Sequence, residues 1–541
     1  METVQTGVLV VGGGLNGLAS ALFLAQQGVD VHLVERNETT AVLLRAAGVS
    51  ARTMELLHGV GLEPEIREKG LRLVPGKHWV EDHSSPALLP RAILGAKRVA
   101  DIGEGSAFVM EEGTVEVEGA SPQEPVWCGQ DKIEPMMIRE AEARGAKIHF
   151  NTEFVSYEQD EDGVTAVVRD NATGVERRVR ARYLIAADGV ASPIREGLGI
   201  KRTGNGTMGH VLSVLFAADL DSVVNGRRFL ICYLLNQASG LLHRFDDTRW
   251  VFGLFWEPEQ HGDGEVSKER ALEYVRTATG LADLPIDVQL VTKWRLAHEV
   301  AETYRAGRVF LVGDSAHVHP PAGGYGANSG MQDAHNLAWK IAAVLKGWAG
   351  ESLLDSYEAE RHPVGAATAH QAYLRQETRT NGDGGHPELR NSTVISTGYR
   401  YHSAAFVGSE AGEALETELR IDGRPGLRVP HSWLEQDGRR ISTVELAVDS
   451  FVLLAGERGQ SWVDAATAVA DGLGIPLKAY RVAPDAELTD KEGSWLGHSG
   501  ITAEGAVLVR PDGFVGYRSA GPVVDAAAEL KAALSTITAR A

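Results

Sequence analysis

The stretch GVLVVGGGLNGLASALFLAQQGVDVHLVE, residues 7–35, decides the fold at the start of this chain. Its first five residues are an apolar run typical of a strand buried on both faces, and residues 29–34 form a second such run. Between the runs, Leu18, Leu22 and Ala25 recur at helical spacing, and Gly28 marks the end of that helix. This order of strand, turn, helix and strand predicts an α/β layer with a parallel sheet.

The turn after the first run carries the spacing G-x-G-x-x-G at Gly12, Gly14 and Gly17. Gly12 permits a tight turn, Gly14 lets the backbone approach a pyrophosphate, and Gly17 lets the helix pack on the strand. Glu35 ends the second strand, 23 residues after Gly12, where a carboxylate accepts a hydrogen bond from a ribose hydroxyl. The motif therefore predicts dinucleotide binding, and by itself it does not separate NAD from FAD.

The overall composition narrows the function classes. With 541 residues the chain is too long for one core, and 53 basic against 73 acidic residues give a net charge of −20. That charge disfavours nucleic acid and anionic lipid as partners. No apolar run approaches the roughly 18 residues of a membrane span, and no basic segment precedes the first apolar run. We expect no nucleic-acid or membrane partner and a cytoplasmic location.

Two further glycine motifs follow predicted strands. Residues 183–195, YLIAADGVASPIR, hold the pattern D-G-x-x-S-x-x-R, from Asp188 to Ser192 and Arg195, after a predicted hairpin at 163–169 and 177–181. The run 308–312 leads into Gly313-Asp314 and a glycine-rich loop, and a long apolar helical stripe begins at Met331. This loop therefore feeds a second helix N-terminus.

The same loop contains His317 and His319, and the following helix carries Asp333 and His335. A catalytic metal would need three such ligands and an open position, yet no carboxylate or cysteine sits beside the histidines at ligand spacing. We therefore expect no metal, and a hydrogen-bonding structural role for His317.

Taken together, these motifs resemble the class A FAD-dependent aromatic hydroxylases of the para-hydroxybenzoate hydroxylase type. Residues 313–328 are similar to the family's G-D-x-A-H-x-x-P-P-x-G-x-x-G-x-N, and residues 128–135 to its flavin-contacting glutamine segment. The length, the segment LLRAAGVSARTMELL at 43–57 and a C-terminal extension resemble the subgroup that hydroxylates anthracycline and angucycline polyketides. Leu44 and Ala327 depart from residues common in that subgroup, which puts the exact loop geometry in question and not the flavin.

The resemblance implies a reaction. NADPH or NADH reduces FAD, O2 adds at flavin C4a, and the hydroperoxide hydroxylates a polycyclic aromatic phenol, the expected small-molecule partner of a monomer or homodimer. Baeyer–Villiger insertion or epoxidation on a similar polyketide is the alternative within this chemistry, and a non-catalytic flavin- or drug-binding protein is the alternative from another class. A flavin disulfide reductase would need a close cysteine pair, whereas Cys128 and Cys232 lie 104 positions apart.

The resemblance also implies roles for individual residues. Arg45 corresponds to an arginine that helps hold the mobile flavin ring, and Arg45 and Pro320 are the residues assigned to catalysis. A helix N-terminus at 324–328 would stabilise negative charge on the reduced flavin. The cofactor contacts correspond to Gly12, Gly14, Leu15, Asn16, Gly17, Glu35, Arg36, Arg45, Gln130, Asp188, Asp314, Pro321, Gly324, Gly326, Ala327 and Asn328.

The expected fold class is α/β, with a Rossmann-like FAD-binding domain, an antiparallel-sheet substrate domain and a C-terminal thioredoxin-like domain. The substrate sheet is expected because aromatic-rich runs alternate from about residue 193, where Tyr233, Phe255 and Trp256 either line a pocket for a flat polycycle or belong to the sheet core. The thioredoxin-like domain lacks both cysteines, so we expect it to be structural or dimerising. The predicted boundaries are 1–72, 102–192 and 296–397 for the FAD-binding domain, 73–101 for a crossover, 193–295 for the substrate domain and 398–541 for the C-terminal domain.

Overall fold

The computed structural model describes most of the chain. The described residues are 3–40, 46, 48–70, 93–111, 117, 119–225, 227, 229, 231–246, 248–262, 264–381, 386–420 and 422–540. No helix in these ranges is long and apolar enough to cross a bilayer.

The first layer is an eight-stranded sheet built around the opening strand of the chain. Its strand order is Arg305–Ala306, Val309–Leu311, Glu176–Ala186, Thr3–Val11, Val31–Val34 and Lys147–His149, with Val164–Asp170 and Thr152–Gln159 added beside Glu176–Ala186. The path is parallel except at its first pair. Val11 lies level with Val34 and Ala186, so the segments that follow these strands meet at one carboxyl edge of the sheet. Ligands of open parallel sheets bind at such an edge.

The second layer is a largely antiparallel sheet of eight strands. Its order is His317–Val318, Asp287–Ala301, Arg202–Ala217, Arg249–Trp256, Gly240–Arg244, Ile231–Leu234, Ile93–Ala96 and Phe108–Glu111. The segment that crosses into this sheet therefore extends past residue 101, where the sequence expectation ended it. One face is covered by the helices Val99–Glu104 and Lys268–Thr279, which supply Ile102 and Val275 to a common core. The other face is left for the flavin domain.

Fourteen helices occur in the described residues. They are Leu15–Gln26, Ala51–Gly59, Glu63–Lys69, Val99–Glu104, Gln130–Ala143, Pro193–Gly197, Pro258–His261, Lys268–Thr279, Tyr325–Leu345, Asp355–Asn381, Ser392–Ser396, Gln460–Leu473, Trp495–Ser499 and Ala526–Ile537. Short 3-10 turns occur at Gly313–Ser315, Glu351–Leu354 and Thr443–Glu445.

The C-terminal unit has the thioredoxin-like arrangement expected from its element order. Four strands lie in the order Leu477–Arg481, Phe451–Ala455, Ala506–Val509 and Val515–Ser519, the first pair parallel and the others antiparallel. The smaller sheets are Gly48–Val49 with Val126–Trp127, and Arg439–Ser442, Trp433–Gln436 and Leu488–Thr489.

A buried ionic cluster joins the C-terminal unit to the flavin domain. Glu360 accepts two hydrogen bonds from Arg510, both at 2.8 Å, and one from Lys340 at 2.7 Å, and all three side chains are fully buried. Burial lowers the pKa of Lys340 to about 8, although Glu360 opposes that shift. The cluster fixes the hairpin at Pro511 against two helices of the flavin domain, because an unpaired charge there would be costly.

Candidate active site

The first glycine turn has the geometry of a pyrophosphate cradle. A Cβ on Gly12, whose φ is +109°, would come within 2.2 Å of the Ala187 carbonyl oxygen, and a Cβ on Gly17 within 1.9 Å of the Gly12 oxygen. A Cβ on Gly14 would meet no atom of the described residues within 4 Å. Gly14 is also the N-cap of helix Leu15–Gln26 and leaves the first N–H groups of that helix, including those of Leu15 and Asn16, without intrahelical partners. Packing thus requires two of the glycines, and the third faces open space before a helix N-terminus, which suits a phosphate.

Glu35 lies beside this cradle with its carboxylate held in place. Its Oε2 accepts from Gly13 N at 2.6 Å, and its Oε1 accepts from the backbone and side chain of Asn37 at 2.9 and 2.6 Å. A carboxylate offers about four acceptor positions, so capacity remains for a ribose hydroxyl. The neighbouring Arg36 is exposed, and its carbonyl accepts from Asn171.

A second helix N-terminus lies at the other glycine loop. Gly324 caps helix Tyr325–Leu345 with φ +67°, so the N–H groups of Tyr325, Gly326 and Ala327 have no intrahelical acceptor. The Asn328 side chain is committed to the protein: its amide donates to Gly48 O at 2.9 Å and Gly324 O at 2.8 Å, and its oxygen accepts from Ser50 N at 2.9 Å. Asn328 therefore clamps the short strand Gly48–Val49 to the helix start.

The two prolines before this helix differ in exposure, since Pro320 is buried and Pro321 is exposed. The Pro321 carbonyl accepts from Gly324 N at 3.0 Å, which closes the turn that presents the helix N-terminus.

Asn16 connects the two glycine motifs. A Cβ on Gly313 would come within 2.0 Å of the Asn16 amide nitrogen, and one on Gly330 within 2.4 Å of its amide carbon. Asn16 Oδ1 is buried and has no hydrogen-bond partner among the residues that the structure describes. A buried acceptor without a partner is costly unless a bound group supplies a donor. The open space at Gly14 and this orphaned oxygen fit a polar, elongated cofactor such as FAD.

The middle motif ties these loops together. Asp188 accepts from Ser192 Oγ at 2.7 Å, Ser315 Oγ at 2.9 Å and Ile194 N at 3.0 Å, while Arg195 donates to Ile200 O at 2.6 Å. Asp188 thus holds the 188–195 turn against the loop of residues 313–315. Asp314 of the same loop is half-buried, and its carbonyl oxygen accepts from Arg202 at 3.0 Å.

The loop histidines do not converge on one point with their helix neighbours. His317 Nε2 lies 2.7 Å from Asp333 Oδ2, and Arg361 donates to Asp333 Oδ1 at 2.7 Å, with all three side chains fully buried. His335 instead meets Phe23, at a ring distance of 4.9 Å. In the described ranges no group of three or more histidine, cysteine, aspartate or glutamate residues is placed to hold a metal. The geometry gives His317 a hydrogen-bonding role.

Gln130 and Arg45 are two further predicted flavin contacts. Gln130 begins helix Gln130–Ala143, its backbone N–H donates to Ala46 O at 3.1 Å, and its side chain donates to Glu134 at 2.6 Å. Gln130 therefore connects that helix to the segment before Gly48. Arg45 lies outside the described residues.

The predicted substrate residues divide between the two faces of the second sheet. Tyr233 and Phe255 share the face away from the helices, with ring centroids 6.3 Å apart. Trp256 lies on the helix-covered face, where its Nε1 donates to Gly262 O at 3.1 Å. Tyr233 and Phe255 therefore remain lining candidates, and Trp256 packs in the sheet core.

Sequence reasoning missed other residues on this face. His243 lies on it and is 6.1 Å, centroid to centroid, from Trp127 of the flavin domain. Trp294 lies on it too, and its Nε1 donates to Ser213 at 2.9 Å. The alternation of apolar residues carries this signal only once the strand pairing is known.

Comparisons with known proteins agree with this geometry. Residues 5–372 match the family described as FAD binding domain, and residues 422–541 match the family described as aromatic-ring hydroxylase, C-terminal. The chain is similar to tetracenomycin A2 monooxygenase-dioxygenase of Streptomyces glaucescens, 50% identical over 551 residues that cover 100% of this chain and 98% of that protein. It is 50% identical, over 542 residues and 100% of both chains, to tetracenomycin B2 monooxygenase-dioxygenase of Streptomyces olivaceus. A solved ternary complex of aklavinone-11 hydroxylase with FAD and aklavinone superposes with a TM-score of 0.87, at 35% identity and 100% coverage of both chains.

Proposed function

The chain belongs to the FAD-binding aromatic-ring hydroxylases, and from that membership we propose that it hydroxylates a ring carbon of a polycyclic aromatic polyketide phenol. The observation that carries the proposal is that the aromatic-lined sheet face contacts Trp127 through His243, and that Trp127 pairs with Gly48, which Asn328 ties to the start of helix Tyr325–Leu345. The names of the relatives support a polyketide substrate, and the family supports NADPH or NADH and O2 as co-substrates.

A bound FAD would supply the redox chemistry, which is hydride acceptance from the nicotinamide nucleotide and activation of O2 for transfer of one oxygen atom to an electron-rich ring carbon. The protein binds the ADP part at Gly14 and Glu35. The N–H groups of Tyr325, Gly326 and Ala327, together with about half a positive charge from the helix dipole, stabilise negative charge beside the helix start. Pro320 lies in the loop before this helix, and the resemblance implies a flavin-holding role for Arg45, which lies outside the described residues.

Tyr233 and Phe255 orient the substrate. Their tilted rings, at an interplanar angle of 35°, present a flat and largely apolar surface to a polycycle. Covering the ring with this surface excludes water, which protects the oxygen-transfer step from wasteful release.

The test uses the FAD-loaded protein with tetracenomycin A2, tetracenomycin B2 and aklavinone as probes. At least one probe should accelerate NADPH or NADH oxidation and yield a product with added oxygen on a ring carbon, labelled when the reaction runs under 18O2. A product with oxygen inserted beside a ketone would replace this proposal with Baeyer–Villiger chemistry. Binding of the probes without any stimulated oxidation would replace it with a non-catalytic binding role.

A second outcome of the same assay is favoured by two relatives at 50% identity, which are described as monooxygenase-dioxygenases. If this chain shares that chemistry, the product carries more than one 18O atom, whereas simple hydroxylation adds one. Mass analysis of a single-turnover product separates the two.

A further inference from the structure

We propose that His243 is the general base that accepts the phenol proton of the substrate during hydroxylation, an inference that rests on the proposed function above. Hydroxylation of a phenol is faster when the O–H bond weakens as oxygen is transferred, because the released charge enters the ring at the carbons ortho and para to it. The protein therefore needs a proton acceptor beside the ring.

His243 lies on the same sheet face as Tyr233 and Phe255. Strand Gly240–Arg244 alternates between faces: Leu242 lies in the helix-side core, so His243 lies on the opposite face. On that face Leu241 pairs with Tyr233, whose ring centroid lies 6.3 Å from that of Phe255. The imidazole is half-buried, so part of it remains accessible.

His243 contacts the segment that is connected to the loops proposed to bind the flavin. The His243 ring meets Trp127 edge-on, at 6.1 Å and 73°. Trp127 pairs with Gly48, whose carbonyl accepts from Asn328 in the first turn of helix Tyr325–Leu345. One strand pair therefore separates His243 from the helix N-terminus assigned to the flavin.

A hydrogen bond to the backbone fixes the tautomer of the His243 imidazole. Nδ1 of His243 lies 3.2 Å from the carbonyl oxygen of Arg244. A carbonyl oxygen only accepts, so Nδ1 carries the hydrogen and Nε2 carries the lone pair. In the described ranges the His243 ring has this hydrogen bond to the Arg244 carbonyl oxygen and no other. Its Nε2 can therefore accept a hydrogen bond from a ligand.

The surrounding charges leave the imidazole neutral. Burial lowers its pKa, and the hydrogen bond to the Arg244 carbonyl partly offsets that effect. The Arg244 guanidinium points to the other face, 4.4 Å from the Trp250 ring, and Arg249 is paired with Asp246 and lies 3.9 Å from Asp131. Arg249 shares the face of His243, where its charge is paired with Asp246, and Tyr233 lies on that face too. His243 is therefore unprotonated at neutral pH and competent to accept a proton.

The proton balance is simple. As the ring carbon bonds to the outer oxygen of the activated species that bound FAD would supply from O2, the O–O bond breaks, and its electron pair leaves on the other oxygen, which takes a proton from solvent. In the same step the phenol O–H bond breaks, a bond between Nε2 and that hydrogen forms, and the O–H electron pair enters the ring. When the oxygenated carbon then loses its own hydrogen, Nε2 returns its proton to the phenol oxygen. His243 ends unchanged, and the released proton goes to solvent.

The test compares His243→Asn with the wild type, with tetracenomycin A2 as probe. The asparagine amide still donates to the Arg244 carbonyl but has no atom at the Nε2 position. General-base contributions are about 100- to 10,000-fold, so we expect product formation at neutral pH to fall by at least about 100-fold. The FAD content, the substrate-free reduction rate and the KM should stay close to wild type. NADPH should still be consumed, without matching product.

The pH profile distinguishes a base from a merely structural residue. In His243→Asn, product formation should rise about tenfold per pH unit toward the phenol pKa near about 10, because the substrate ionises by itself, while the wild-type rate should change little. His243→Gln serves if the asparagine variant does not fold. His261→Gln is the matched control, since the His261 ring lies 4.8 Å from the Trp256 ring on the opposite face and its replacement should leave turnover unchanged.

Each outcome is decisive. A raised KM with unchanged kcat, or a pH profile parallel to wild type, would overturn the role of His243 while leaving the hydroxylase intact. No product from the wild type with any of the three probes would overturn the proposed function itself.

Discussion

Gly14→Ala tests the cofactor cradle, because this glycine alone of the three has open space around it. Its φ of −78° and ψ of −179° suit alanine, and the added methyl group would meet no atom within 4 Å. Alanine is a somewhat poorer N-cap than glycine, but it lowers unfolded-state entropy, worth about 0.4–1 kcal/mol in the other direction. We therefore expect the free energy of unfolding of the apoprotein to change by less than about 1 kcal/mol.

FAD binding should respond differently. If the pyrophosphate approaches the backbone at Gly14, the methyl group displaces it and breaks at least one charge-assisted hydrogen bond, worth about 1.5–3 kcal/mol. That loss weakens FAD binding by roughly 10- to 150-fold, at 1.4 kcal/mol per factor of ten. Titration of the apoprotein with FAD measures the change, and urea unfolding of the same samples measures stability.

Two variants frame this result. Gly472→Ala also meets no atom within 4 Å, but it lies in helix Gln460–Leu473 and should stabilise the protein by about 0.5–1 kcal/mol with unchanged FAD affinity. Gly17→Ala would press on the Gly12 oxygen at 1.9 Å and should lower both stability and FAD content. Wild-type affinity in Gly14→Ala would refute the assignment of this turn to the pyrophosphate.

Three further outcomes are expected. Asp314→Ala should weaken FAD binding by a similar 10- to 150-fold through loss of an acceptor for ribityl hydroxyls, measured by the same titration. Replacing Cys128 and Cys232 together with alanine should leave turnover intact, since burial raises their thiol pKa values to about 11 and about 12 and keeps them unreactive; loss of activity in a folded, FAD-loaded variant would contradict this. Burial lowers the pKa of Lys340 from 10.5 to about 8 in the folded protein. Between pH 8 and 10.5 the unfolded chain therefore holds a proton that the folded protein has lost, so this group raises the free energy of unfolding as the pH rises through that range. Urea unfolding across that range should show this contribution in the wild type and lose it in Lys340→Met.

The Lys340 cluster also explains why the C-terminal unit stays on the flavin domain. Its hairpin brings Arg510 to Glu360, a contact between residues 150 positions apart in the sequence. The sequence predicted a thioredoxin-like fold for this unit, and its four-stranded sheet has that arrangement. Nothing in the sequence indicated which surface that fold would bury, because charged residues at this separation carry no periodic signal.

Local patterns were sufficient for the flavin-binding turn. The spacing of Gly12, Gly14 and Gly17, a buried strand before it and Glu35 after the next strand determine a strand–turn–helix geometry within a few residues. Such contacts are short-range, so the sequence alone was enough to predict the turn, the parallel sheet and the family.

Only the tertiary structure decided the composition of the substrate face and the partners of the buried polar groups. Alternation predicts that Phe255 and Trp256 point to opposite faces, but the pairing register is needed to show that Phe255 and His243 share the face away from the helix-side core. His317 likewise reads as a metal ligand or a structural residue until its distance to Asp333 is known. The physical reason is common to both: a side chain's neighbours across a sheet or between helices depend on long-range packing, whereas a turn depends on the residues within it.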